Sequence, residues 1–233
     1  MKLILILAAA IIFSFNSTAS AEGIIPKISV SGEGVVEVAP DRATISVGVV
    51  TRDKNAAKVQ TENARIASEI IKSAVALGID KKNIRTGNYS FYPNYRQENN
   101  RQVADGYEAT NSVIVIVDDL NLVGKVIDAA LSHGANKVDS LEFGIKDKNK
   151  LQNEAIRLAV RNARAKAEVV AAEIGKNIIG VLNVSVNSGY ISAPRANKMF
   201  MADMAVGESV ATPIESGMLN CSASVQVEFE ISR

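Results

Sequence analysis

The stretch Leu151–Gly175, LQNEAIRLAVRNARAKAEVVAAEIG, decides how the rest of the chain is read. It lacks Pro, is rich in Ala, and reaches Gly175 where a helix C-cap is expected. Ile156, Val160, Ala163, Ala167, Val170 and Ile174 recur at alternating four- and three-residue steps, which predicts one apolar helical face. Arg157, Arg161, Arg164 and Glu168 fall mainly on the other side, and Arg164 and Glu168 are spaced to pair. Such a helix needs a sheet to cover, and the flanking sequence supplies strands on both sides.

Upstream, Lys27–Val38 alternates apolar and polar residues around Gly32-Glu33-Gly34, which predicts a strand with a bulge or bend. Ala43–Val50 is a second strand with Ile45, Val47 and Val49 on one face. Asn55–Leu77 is a long helix whose face carries Val59, Asn63, Ile66, Ile70, Ala74 and Leu77, with Gly78 as cap. Asn83–Tyr95 is a strand, and the polar segment Arg96–Asp105 is expected to turn the chain. Gly106–Val117 is the most apolar strand and is expected at the centre of a sheet. Asp119 is placed to cap a short helix over Leu120–Ser132, closed by His133-Gly134, and Lys137–Lys146 is another strand.

Downstream of the Arg/Ala helix, Ile178–Val186 is a strand and Asn187–Gly217 is expected to be irregular. Met218–Ile231 then alternates apolar and polar residues cleanly. The order β-β-α-β-β-α-β-α-β-β predicts an α+β fold: a mixed, mainly antiparallel sheet in two lobes with helices packed on it. The expected organisation is a leader over 1–21 and one domain over 22–233, built from two related halves at about 27–118 and 119–233.

The leader reading rests on MKLILILAAAIIFSFNSTASA. Lys2 is its only charge, an apolar run follows from Leu3 to Phe15, and Ala19-Ser20-Ala21 offers a small-x-small cleavage site between Ala21 and Glu22. The run is short for a membrane span, which needs ~20 apolar residues. An exported chain, in the periplasm and compatible with outer-membrane association, is the expectation. The whole chain has a formal charge of +1, and removing Lys2 brings it to zero, since residues 1–21 hold no Asp or Glu. That balance argues against nucleic acid or an anionic surface recognised through bulk charge. With 47% hydrophobic residues the chain can bury a sizeable core, and its single Cys excludes an internal disulfide.

Four segments together resemble the SIMPL-domain family of exported bacterial proteins, some of them known as periplasmic or outer-membrane-associated immunogenic antigens. They are SGEGVVEVAPDRATISVGV (Ser31–Val49), YPNY (Tyr92–Tyr95) with GYEATNSVIV from Gly106, LVGKVIDAALSHGANKVDSLEFG (Leu122–Gly144), and ARAKAEVVAAEIGKNIIGVLNVS from Ala163. The resemblance covers nearly all of the chain after the leader. It implies an α+β fold and a non-enzymatic or uncharacterised role at the cell envelope, and it brings no catalytic residues.

The residues themselves nominate no chemistry. Gly32-Glu33-Gly34 lacks the third glycine of a dinucleotide fingerprint, because Glu37 stands there, and Pro40-Asp41 follows instead of a helix. His133 is the only histidine, so any Ser-His-Asp or Cys-His mechanism would run through a residue placed to cap a helix. One His and one Cys exclude zinc sites built from several such ligands. Cys221 reads as a buried small hydrophobe on the last strand, and Asp118, Asp119 and Asp128 read as caps and solvated carboxylates. No cofactor is expected.

Two stretches stand out as contacts. Tyr89, Tyr92, Tyr95 and Tyr107 fall in one expected hairpin, as cross-strand packing or as an interface. Met199, Phe200, Met201 and Met204 lie in the expected irregular stretch, where adaptable apolar groups suit another subunit, the envelope or a client. The sequence therefore supports a self-assembling homo-oligomer with a structural or interaction role. The alternative is a periplasmic ligand-binding module, linked to envelope stress, whose Tyr hairpin stacks on a sugar or small aromatic molecule. An acid-only enzyme ranks last, because no carboxylate pair can be nominated.

Overall fold

The structure, a computed structural model, describes residues 25–192 and 214–233. Ala21, Glu22, Met199, Phe200, Met201 and Met204 lie outside the described residues. The elements run β1 (Lys27–Val38), β2 (Arg42–Asp53), α1 (Ala56–Ala76), β3 (Ile84–Glu98), β4 (Arg101–Val117), α2 (Val123–Ser132), β5 (Lys137–Gly144), α3 (Lys148–Glu173), β6 (Ile178–Ser192) and β7 (Leu219–Ile231). That is the α+β order the sequence predicts.

Two antiparallel sheets result, one ordered β3-β4-β2-β5 and one ordered β1-β7-β6. β4 is interior, as its apolar character predicts. The sheets do not divide the chain near residue 118. β1 crosses to pair with the C-terminal β7, Lys27 opposite Glu230 and Val38 opposite Leu219, while β5 joins the earlier strands.

In the four-stranded lobe, Ile45, Val47, Val49, Val113, Val115 and Val117 form one face. It is covered by Ile66, Ile70 and Ala74 of α1 and by Val123, Val126 and Ile127 of α2. Asn55 caps α1, its side chain accepting from the N–H groups of Ala57 and Lys58 at 2.9 and 3.2 Å. Gly78 (φ +88°) ends that helix, and Gly134 (φ +102°) ends α2 beyond His133, whose ring Nδ1 lies 2.7 Å from the carbonyl of Ala129. Asn63, fully buried, ties α1 to the sheet by donating to the carbonyls of Val49 and Ala109.

The three-stranded lobe differs from expectation on its helix. The buried residues of α3 are Leu151, Ala155, Ala159, Ala163, Ala167 and Ala171, a strict four-residue row. Ala163 and Ala167 fall where expected and Ile156 packs in part, but Val160, Val170 and Ile174 are exposed. The reason lies in Gly32 and Gly34. A Cβ on Gly32 would stand 2.1 Å from the carbonyl of Ala159, and one on Gly34 would stand 2.1 Å from the carbonyl of Ala155. Helix backbone rests on strand backbone, so only methyl-sized side chains fit between them. The two glycines are a seat for α3 and not a bulge, because β1 keeps an unbroken register with β7 along its whole length.

Two further segments are more ordered than expected. The polar stretch Arg96–Asp105 turns the chain as expected, but within two residues: β3 and β4 continue through it to Asn99-Asn100, both at positive φ (49° and 61°). That is the geometry of a type I′ hairpin turn, which Asn tolerates. β6 likewise runs on past Val186 to Ser192.

Candidate functional site: the tyrosine ribbon

Beyond Tyr107, β3 and β4 form a two-stranded ribbon. A two-stranded ribbon has little core of its own; Tyr95 and Val103 are exposed along it, and Tyr89 and Tyr92 are exposed on the adjoining part of β3, where β4 also pairs with β2. Two pieces of chemistry are built where the ribbon leaves the sheet.

On one face, Tyr92 of β3 lies directly opposite Glu108 of β4, and Glu108 lies opposite Arg52 of β2. The Tyr92 hydroxyl donates to one carboxylate oxygen of Glu108 and the Arg52 guanidinium donates to the other. Glu108 is buried, and these two donors hold its carboxyl below the usual range. The same hydrogen bond pushes the Tyr92 phenol up, because ionising it would set two anions together. Further along this face, Asp139 of β5 pairs with Lys137 at 2.7 Å and accepts from Ser112 at 2.9 Å, which holds its carboxyl low as well.

Tyr107, the neighbour of Glu108, points to the other face, where its ring stacks on Phe91 with centroids 5.7 Å apart. Gly106 (φ +96°) turns β4 at this point, and its bare Cα faces the carbonyl of Asp53, which a Cβ would approach to 2.6 Å. The bend opens a cavity of about 470 Å³ lined by Lys54, Pro93, Tyr95, Arg96, Asp105 and Tyr107, among others.

Of the residues singled out in the sequence, Tyr95 and Tyr107 thus meet at one cavity, whereas Tyr92 belongs to the opposite face with Glu108. Sequence reasoning passed over Glu108, Arg52, Lys54 and Arg96. The signal for Glu108 is its place as the one charged residue of Gly106–Val117, but its partner follows only from the register of β2 against β4.

Arg42 pairs with Asp118 at 2.8 Å, Arg157 with Glu154 at 2.5 Å, and Arg164 with Glu168 at 2.8 Å. Cys221 is fully buried, and burial pushes its thiol up, away from reactivity. Among the described residues no group of three or more His, Cys, Asp or Glu side chains is placed to hold a metal ion. No described helix is long and apolar enough to cross a membrane.

This arrangement, two antiparallel sheets each carrying its own helices, defines an α+β protein whose conspicuous surface chemistry is aromatic and ionic. Residues 28–229 match the SIMPL family, described as proteins of unknown function (DUF541), and the chain belongs to that family. It is 28% identical over 211 residues to the 26 kDa periplasmic immunogenic proteins of Brucella melitensis and Brucella abortus, covering 88% of this chain and 84% of each of theirs. It is 26% identical over 207 residues to the uncharacterized protein YggE of Escherichia coli K12, covering 88% of this chain and 83% of that one.

Proposed function

We propose that this chain is an exported cell-envelope protein that self-assembles into a homo-oligomer and works through contacts, with no catalytic step. The observation that carries the reading is the set of exposed tyrosines on β3, Tyr89 and Tyr92 at the edge of the sheet and Tyr95 with Val103 on the two-stranded ribbon that extends it. Exposed aromatic area of that kind is characteristic of protein interfaces. The Met-rich stretch with Met199, Phe200, Met201 and Met204 is the second proposed contact. The leader-like N-terminus and relatives named as periplasmic support a periplasmic location.

Light scattering of Glu22–Arg233 over a concentration series tests the proposal. A stable assembly is expected, and deleting Ala196–Val206 should disrupt it without unfolding the protein. A monomer at every concentration would refute self-assembly.

The cavity at Gly106 favours a second reading, a ligand-binding module. Tyr95 and Tyr107 offer ring faces, and Lys54 offers a cation beside Arg96, whose guanidinium also pairs with Glu98 at 2.9 Å. A sugar or small aromatic molecule bearing an acidic group fits that lining. Tyr95→Ala and Tyr107→Ala should then abolish ligand-induced thermal stabilisation and leave assembly unaffected.

A further inference from the structure

The two sheets expose four edge strands: β3, β5, β1 and β6. An open edge is a template for pairing with another chain, and proteins blunt it with charge, Pro, bulges, short length or a covering element. β3 carries Arg85, Pro93, Arg96 and Glu98. β5 is eight residues long and carries Lys137, Asp139 and Glu142. The edge of β1 is covered by α3, since the Asn162 side chain accepts from the N–H of Glu33 and the Lys166 ammonium donates to the carbonyl of Ser31.

β6 is the exception. Its sequence, IIGVLNVSVNSGYIS, contains no charged residue and no Pro over fifteen residues. Register shifts occur toward both ends, but Asn183–Ser188 pairs with β7 without a break. Val181, Val184 and Val186 lie opposite Phe229, Val227 and Val225, and so face the helix side of the sheet. Their partners are buried while they remain 57%, 50% and 49% exposed. Ile178 and Ile191, at the two ends of β6, pack onto the core, and the valines between them do not. The seat at Gly32 and Gly34 explains this, because it draws α3 over β1, and among the described residues no helix covers the far edge.

We infer that β6 is the strand through which two copies of this chain join, each presenting its β6 antiparallel to the other across a two-fold axis. The occupant follows from charge. The other described edges bring ions beside the valine row or are already covered, whereas β6 against β6 sets an uncharged strand against an uncharged strand. A two-fold contact also closes on itself and does not propagate into a fibre. The inference rests on the self-assembly reading and supplies its interface.

The test uses the full mature chain, Glu22–Arg233. Val184→Lys with Val186→Lys places like charges across the seam and should weaken association by about a hundredfold. Circular dichroism should be unchanged, since both side chains are already half exposed, whereas melting should lose its dependence on protein concentration. Val35→Lys, on an exposed position of β1, serves as control and should assemble as wild type.

A single-Cys scan over Asn183–Asn187 gives an independent readout, because the one native cysteine is buried. With a mild oxidant, intermolecular disulfides should peak at the one or two positions beside the axis, where a residue lies against its own copy. Assembly of the double-lysine variant at wild-type concentration would overturn the β6 interface while leaving self-assembly standing. So would a flat cross-linking profile. A wild-type chain that stays monomeric would overturn both.

Discussion

In the four-stranded lobe, valines and isoleucines of β2 and β4 meet isoleucines and valines of α1 and α2. In the three-stranded lobe, the strands bring Val225, Val227 and Phe229 to a helix that answers with Ala159, Ala163, Ala167 and Ala171. The first lobe gains from large buried side chains at about 1.5–3 kcal/mol each. An alanine methyl is worth only about 0.8 kcal/mol by the same measure, so the second lobe relies on backbone-to-backbone approach and dense contact. The first arrangement tolerates repacking. The second is set by steric limits measured in tenths of an ångström.

The sharpest way to break the comparison is Gly34→Val. Its Cβ would strike the carbonyl of Ala155, which cannot rotate away, so α3 must lift from β1. A loss of at least ~4 kcal/mol is expected, in the class of severe overpacking at a fixed backbone. Hydrogen exchange should show β1, β7 and α3 losing protection first, with β2 and β4 retaining it. Protection lost equally in both lobes would mean that they unfold as one unit. Ile70→Ala probes the other lobe and should cost ~2–5 kcal/mol through the cavity it leaves, read as a lowered denaturation midpoint. Ala163→Leu is the converse of that truncation. An added side chain between α3 and β1 should destabilise by ~1–3 kcal/mol, although the same change on an exposed helix face would be nearly neutral.

The smallest effect concerns pH. Glu108 has its carboxyl held low by Tyr92 and Arg52. Its contribution to stability is therefore complete above the ordinary glutamate range, near ~4.3, and is lost as pH falls through the lowered folded value. A urea midpoint measured between neutral pH and pH 3 should decline, and Glu108→Gln should flatten the part of that decline that Glu108 contributes. An unchanged acid limb would show that the Tyr92–Glu108–Arg52 cluster does not hold the ribbon to the sheet.

The order of the ten elements was legible because each has a strong local signal: alternation in β2 and β7, Asn55 and Gly78 around α1, His133-Gly134 after α2. The buried face of α3 was not. Weighing side chains by size favours Ile156, Val160, Val170 and Ile174, but close approach selects the smallest residues, and that requirement originates in glycines more than a hundred residues away. The length of the ribbon was not legible for a related reason. A strand exposed on both faces needs no apolar alternation, so Arg96–Asp105 signals that the chain turns but not that both strands continue to Asn99-Asn100. At the candidate site, clustering of tyrosines in a hairpin was evident from sequence. Their sorting into a Glu108 face and a cavity face depends on the register of β3 against β4, which composition does not carry.

The pairing of β1 with β7 also has a consequence for the order in which the protein can be completed as it emerges from a ribosome or a translocation pore. Every strand of the four-stranded sheet has emerged once residue 144 is out. β1 emerges first of the described strands, yet its partner spans Leu219–Glu230, far later in the chain. β1 is left without its sheet until Leu219–Glu230 has appeared. A chain that stops a dozen residues short would lose the strand that both β1 and β6 require.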